Sequence, residues 1–486
     1  MNEPTVTIGQ GRLRGRRDGD VDSWRGVPFA APPVGPLRWR PPEPAGGWAG
    51  VRDATRFGPD CPQQPWTDSR APGLDEDCLT LNVWAPARRS ADEPLPVLVW
   101  FYGGSFAFGS GSAEATDGAA LARRGAIVVT ANYRVGLFGF LAHPGLSAES
   151  PHGSSGNYGL LDMVAALRWV RAEIAAFGGD PGRVTAFGVS AGAASLGLLL
   201  TSPLAAGAFD RVILESPGCF RPLAEHADAE RAGLLAGDDV DELRRLPAGE
   251  ILARTGRLTP AMRALTAARP ARPHRDGWVV PHQDRDAFGS GAFHPVPMIV
   301  GGNTDEGGKL VASWPVNDTA DWNRLVAADF TGSEDAMRAH YPVRDDADVR
   351  TRLAEVFGDT QFTLAVRGIT RAAARRGIPV HRYLFSRRPD HGAEVPFVFG
   401  TLPAGSDPAE VALSERIGDA WVAFARTGDP NGAGRPHWPA ADEQGEPALR
   451  LDIGHELVDG WRVEQLDFLD RFLAGRDTAP GPTRPD

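Results

Sequence analysis

Short apolar runs alternate with helix-patterned stretches through the first half of the chain, and this alternation limits the fold more than any other feature. Val97–Phe101 and Ala126–Thr130 are apolar runs of strand length. Leu160, Met163, Val164, Leu167, Val170, Ile174 and Phe177 recur at three- and four-residue steps and form one apolar helix face. A β-forming run, Val184–Phe187, follows, then a small-residue helical run, Ala191–Leu200, then a strand, Arg211–Glu215. A chain that alternates β and α in this way builds a large, mainly parallel sheet with helices on both faces. The expected class is α/β.

The second half adds two inserts. Residues 222–275 are rich in Ala, Arg, Asp and Glu and read as helical, and residues 316–376 read the same way. Sheet strands return at Pro297–Val300 and at Val380–Phe385. Helical inserts over the carboxyl ends of strands wall a pocket. Residues 24–42 are dense in Pro and Gly, which excludes a helix or a central strand. Phe29, Leu37 and Trp39 within them predict a loop pinned to the body. One domain is expected over residues 1–477, with a disordered tail over 478–486.

The Val184–Leu200 segment contains Gly188-Val189-Ser190-Ala191-Gly192, a G-x-S-x-G. A serine on so sharp a strand-to-helix turn is pushed clear of the backbone, and the N–H that follows it can face an incoming carbonyl oxygen. This is the geometry of an acyl-transfer nucleophile. A serine hydroxyl needs a base near neutral pH, and imidazole has the matching pKa. Of the eleven histidines, His143, His152 and His226 lie in polar or loop contexts and read as surface. His391 lies just after the strand ending at Phe385, on the rim where the elbow serine emerges. An acid must orient that imidazole. Asn303-Thr-Asp-Glu-Gly307 follows strand Pro297–Val300, which makes Asp305 and Glu306 the candidates, and only one of two adjacent side chains should reach the histidine. The chain order of serine, acid and histidine is that of α/β-hydrolases. The glycine pair of Tyr102-Gly-Gly-Ser-Phe106 directly follows an early strand, where it can turn backbone N–H groups toward a developing oxyanion.

Composition narrows the partners. The 486 residues are 42% apolar, ample for a large core. The net charge of −11 and the lack of any basic patch give no reason to expect nucleic acid. Cys61, Cys78 and Cys219 are the only cysteines, and neither C-x-x-C nor H-E-x-x-H spacing occurs, so no metal or organic cofactor is expected. The N-terminus lacks the apolar core of a signal peptide, and there is no run of about 18 apolar residues to span a bilayer. A cytoplasmic monomer or weak homodimer without membrane contact is expected.

With these pieces in place the sequence resembles the type-B carboxylesterases, the cholinesterase-like α/β-hydrolases, and bacterial para-nitrobenzyl esterases look most similar. Further blocks carry the resemblance: Arg25–Ala30, Glu76–Val83, Asn132–Phe140, Gly156–Asp162, Phe177–Pro181 and Gly428–Asn431. The resemblance implies Ser190 as nucleophile, Glu306 as acid and His391 as base. It implies Gly104, Ser105 and Ala191 as oxyanion donors, Ser216 as a hydrogen-bonding support of the triad, and a disulfide between Cys61 and Cys78. Its reaction is hydrolysis of small-molecule carboxylic esters through an acyl-enzyme. The same triad also serves carbamates, lactones, thioesters or acyl transfer to an alcohol, and fold and triad do not choose among them. Three departures stand out. Val189 replaces the family's usual glutamate, which argues against cationic substrates and for neutral esters. Ser105 replaces a glycine or alanine. The segment from Cys219 to Pro270 is short, which leaves the pocket wall it supplies undefined.

Overall fold

A computed structural model describes residues 3–477, except 65, 67, 91, 259–263, 270 and 444. The tail expected at 478–486 lies outside the described residues. Strands β1 (Thr5–Ile8), β2 (Gly11–Arg14) and β5 (Val51–Asp53) form a small sheet near the N-terminus. The remaining strands are β3 (Arg16–Asp18), β4 (Val21–Pro28), β6 (Thr80–Pro86), β7 (Leu95–Phe101), β8 (Ile127–Ala131), β9 (Gly179–Val189), β10 (Arg211–Glu215), β11 (Met298–Asp305), β12 (Val380–Asp390), β13 (Ala448–Leu451) and β14 (His455–Val458). Among the described residues they make one eleven-stranded sheet in the order β14-β13-β12-β11-β10-β9-β7-β8-β6-β4-β3. The strands from β8 through β13 in that order run parallel. Antiparallel strands close the sheet on both sides, with β6, β4 and β3 on one and β14 on the other.

Strand periodicity sorts the core into two layers. Val97, Val99, Val184, Ala186, Val212, Leu214, Met298 and Val300 face one layer. Leu98, Trp100, Phe187, Ile213 and Ile299 face the other. Every second residue points to the opposite side, and both sides are covered, so the central strands read as unbroken apolar runs. The first layer includes the helix Tyr158–Glu173, which continues as a 3₁₀ turn to Phe177 and is closed by left-handed Gly178. The two inserts stand between β10 and β11 and between β11 and β12. A third apolar cluster joins Trp322, Phe330, Tyr341 and Phe357 of the second insert to Leu466, Phe468 and Phe472 of the helix Val463–Asp477.

Two local expectations are corrected. Trp24–Pro28 belongs to strand β4 rather than to a loop. The strand accommodates its Gly and Pro because it is antiparallel and peripheral. A register shift between Trp24 and Val27 absorbs Gly26, and Pro28 is the last residue of the strand. Farther on, Phe29 and Trp39 are buried, Leu37 is half-buried, and Gly35–Leu37 forms one 3₁₀ turn. His143 is buried rather than at the surface. It caps the helix Pro144–Glu149 by accepting the Gly145 N–H at 3.0 Å, and its Nε2 bonds the Gly237 carbonyl at 2.9 Å. His226 is also half-buried, stacked on His274 with Nδ1 3.0 Å from Nε2 of that ring. His152 is exposed. Cys61 and Cys78 are joined as a disulfide, and Cys219 is a buried free thiol. Among the described residues no helix is long and apolar enough to cross a membrane.

Candidate active site

Strand β9 lies between β7 and β10, with Gly188 beside Phe101 on one side and Leu214 on the other. Ser190 ends it with φ 55° and ψ −117°, a region that non-glycine residues avoid. Such strain costs about 1–3 kcal/mol and persists only where the surroundings enforce it. Here the Ser190 N–H donates to the Glu215 carbonyl at 2.8 Å, and the Ser190 carbonyl accepts from Ala194 at 2.8 Å. The helix Ala191–Thr201 leaves from this turn and is buried on every side, which explains its lack of polar residues apart from Ser195 and Thr201. The two flanking glycines have one cause. A Cβ on Gly188 would lie 2.6 Å from the Phe101 carbonyl oxygen, and one on Gly192 would lie 2.1 Å from it.

The turn after β7 packs directly on this elbow. A Cβ at Gly103 would come within 3.0 Å of Ser190 Cβ. Gly104, Ser105 and Phe106 have φ of 105°, 57° and 62°, an unusual left-handed run. It faces successive N–H groups toward one side, the arrangement that binds anions. Among the described residues, the N–H groups of Gly104, Ser105 and Ala191 take part in none of the hydrogen bonds.

Four neighbouring strands deliver the other groups to the same rim: Ser190 after β9, Ser216 after β10, Glu306 after β11 and His391 after β12. Glu306 is buried, and three donors converge on it. Oε1 accepts the Ser216 hydroxyl at 2.6 Å and the Asn303 N–H at 2.7 Å, and Oε2 lies 2.5 Å from His391 Nδ1. Asp305 points away and accepts the N–H of Gly308 at 2.8 Å, forming a turn. The bond at Nδ1 places the imidazole proton there and leaves the Nε2 lone pair free to accept one. Nε2 is buried and has no hydrogen-bond partner among the described residues, Ser190 Oγ included. Resting catalytic sites often hold this bond open. The Phe362 ring lies 4.3 Å from the imidazole, centroid to centroid, and limits its tilt.

A second tier of buried carboxyls lies behind Glu306. Asn303 bridges to it, donating its Nδ2 to Glu394 Oε2 at 2.6 Å. Burial, then the charge of Glu306, pushes the Glu394 carboxyl up to about 7. Burial, then Glu394, pushes Glu215 well above the usual carboxylate range, and Trp421 Nε1 donates to it at 2.9 Å. Burial and neighbouring negative charge thus favour the protonated form of both carboxyls. For His391, burial opposes the charged form. The charge and hydrogen bond of Glu306, with Glu394 behind it, outweigh that and raise its pKa above the usual 6.5. Glu394 and Asn303 were not singled out from sequence, although both lie inside the blocks that supplied His391 and Glu306. Phe362 carries no local signal within its helical insert.

The fold and this rim define a carboxylic ester hydrolase: the chain belongs to the carboxylesterase family, whose pattern matches residues 2–469. Among curated relatives it is 46% identical over 449 residues to fumonisin B1 esterase of Sphingopyxis macrogoltabida, covering 88% of this chain and 83% of that protein. It is 35% identical over 481 residues to para-nitrobenzyl esterase of Bacillus subtilis, covering 93% of this chain and 95% of that one. A solved structure of a PNB esterase superposes with a TM-score of 0.84 at 32% identity, covering 97% of this chain and all of that one.

Proposed function

We propose that residues 1–477 act as one α/β-hydrolase unit that cleaves neutral carboxylic esters through a Ser190–His391–Glu306 triad. Ser190 Oγ attacks the ester carbonyl while His391 Nε2 takes its proton. The N–H groups of Gly104, Ser105 and Ala191 stabilise the tetrahedral oxyanion. His391 then protonates the departing alcohol. A water deprotonated by His391 attacks the acyl-enzyme and releases the acid. One observation carries this reading. An imidazole is fixed through Nδ1 by a triply bonded carboxylate, with Nε2 left without a partner among the described residues, on the rim that also carries a strained, half-buried serine.

The direct test is reaction with a fluorophosphonate probe and mapping of the labelled peptide. Stoichiometric labelling at Ser190 is expected. A folded protein that resists labelling would favour a non-catalytic binding role. Val189 supports the charge preference. It is buried in the layer beneath the sheet, and its Cγ1 would lie 3.2 Å from a Cβ at Gly103, so no carboxylate stands beside the oxyanion turn there. Val189→Glu is expected to shift relative kcat/KM toward choline esters over their neutral isosteres by about tenfold, the effect of one nearby charge. An unchanged ratio would remove Val189 from the account of specificity.

A further inference from the structure

The turn after β7 depends on its surroundings for its shape. Ser105 and Phe106 sit at φ 57° and 62°, in the left-handed region that side chains disfavour, so the run from Gly104 must be held in place. Inside the turn, the Gly104 carbonyl accepts the N–H groups of Ala107 and Phe108 at 2.9 and 3.2 Å. The Phe106 carbonyl accepts the Gly136 N–H at 2.6 Å. The turn then closes on itself. A Cβ at Gly104 would lie 2.0 Å from the Phe108 carbonyl oxygen, and one at Gly109 would lie 2.8 Å from the Gly103 carbonyl oxygen. Phe108 and Gly109 therefore back directly on Gly103 and Gly104.

The peptide between Phe108 and Gly109 is oriented from outside the turn. Its carbonyl is set against Gly104. Its N–H, which points the opposite way across a trans peptide, donates to Gln63 Oε1 at 2.6 Å. Gln63 Nε2 donates in return to the Gly109 carbonyl at 2.8 Å and to the Cys61 carbonyl at 3.0 Å. These three bonds fix which way the amide faces, because a flipped amide would set its oxygen against two carbonyls and its nitrogen against an N–H. Gln63 and Gly109 are both buried, so losing the amide would strand the N–H and carbonyl of Gly109 away from bulk water.

Gln63 is itself anchored. It stands two residues after Cys61, which the disulfide ties to Cys78. Asp60, on the other side of Cys61, accepts the hydroxyls of Ser110 and Ser69 at 2.5 Å each. Residues 60–63 thus run beside Gly109 and Ser110, and the Asp60 bonds keep them attached when the Gln63 amide is removed.

We infer that Gln63 is a positioning residue of the reaction: by fixing the peptide between Phe108 and Gly109, it holds Gly104 and Ser105 with their N–H groups aimed at the oxyanion. This rests on the serine-esterase reading and adds to it a residue that acts through the backbone rather than on the substrate. Without the amide, the buried groups of Gly109 turn toward other partners, and the strained run beside them relaxes. Oxyanion donors act on charge that develops only in the transition state, so displacing them lowers kcat and leaves KM nearly unchanged.

The test is Gln63→Met, which keeps the length of the side chain and removes all three bonds. On para-nitrophenyl butyrate kcat is expected to fall by about 10²-fold, the cost of misplacing a catalytic group by about 1 Å, with KM within about threefold of wild type. Affinity for a trifluoromethyl ketone, whose adduct with Ser190 places an oxyanion in the hole, should fall by the same factor. The acid limb of kcat/KM should stay in place, because Glu306 and His391 are untouched. Gln63→Glu supplies the rescue. Burial among carbonyls keeps its carboxyl protonated, so it retains an acceptor for the Gly109 N–H and one donor, and it should recover about tenfold of the loss. If Gln63→Met does not fold, Gln63→Glu carries the same comparison with the smaller loss.

A folded Gln63→Met with kcat within about threefold of wild type would overturn the inference and leave the esterase reading intact. A fall in kcat with unchanged affinity for the ketone, or with a displaced acid limb, would overturn it too, since the damage would then lie outside the hole. If the wild type cleaves no ester, the esterase reading fails, and hydrogen exchange over residues 103–109 decides the clamp. Exchange at least about tenfold faster in Gln63→Met supports it, and unchanged exchange ends it.

Discussion

Ser190→Ala is expected to lower kcat on para-nitrophenyl butyrate by about 10⁵- to 10⁶-fold, the loss seen when a triad nucleophile is removed. What activity remains should come from binding and the oxyanion N–H groups, which the substitution leaves in place. The variant should fold, because alanine keeps the Cβ that already tolerates φ 55° at this position. Ser190→Gly separates chemistry from strain. It should lose the same activity yet gain about 1 kcal/mol of stability, since glycine adopts this conformation freely. Denaturant unfolding of both variants beside the wild type checks the stability, and steady-state kinetics checks the rate. Activity of Ser190→Ala within tenfold of wild type would end the assignment of the nucleophile.

Glu306→Gln is expected to lower kcat by about 10⁴-fold, for a reason specific to this geometry. Oε1 of Glu306 accepts two donors, the Ser216 hydroxyl and the Asn303 N–H. A glutamine must place its carbonyl oxygen there, which turns its NH₂ toward His391 Nδ1. The imidazole proton then moves to Nε2, and the base is lost. The residual activity should carry a second signature. The negative charge of Glu306 is a principal reason His391 titrates above 6.5, working against burial. The base must be neutral to act, so the wild-type acid limb of kcat/KM should lie above pH 6.5, and removing the charge should move that limb to lower pH. A plateau within tenfold of wild type, or an acid limb that moves upward, would show that Glu306 does not govern the imidazole.

Much of the architecture was legible because it depends on local periodicity. Runs such as Arg211–Glu215 coincide with strand β10, and the elbow helix from Ala191 differs from the expected run by one residue at its end. The outer strands β4 and β6 were not read as strands. In β4, Gly26 and Pro28 look like breakers, and a bulge and a strand end accommodate them only because β6 is there to pair with. His143 looked exposed from its polar neighbours, but its burial depends on Gly237, which lies 94 residues away.

The sequence by itself determined the parallel sheet, the two inserts, the elbow at Ser190 and the rim positions of His391 and the Asp305–Glu306 pair. Each follows from side-chain period, turn chemistry or strand ends, which are properties of neighbours in the chain. The family resemblance already implied Glu306 rather than Asp305, and only the tertiary structure shows what holds Glu306 against the imidazole, donors brought from β10 and from Asn303. The tertiary structure alone placed Glu394 close enough to raise the pKa of Glu215, and Glu306 close enough to raise that of Glu394. It alone joined Gln63 to Gly109, whose hydrogen bonds span 46 residues. Charge and hydrogen bonding act through space over a few ångströms, and across such separations no local pattern in the sequence encodes that distance.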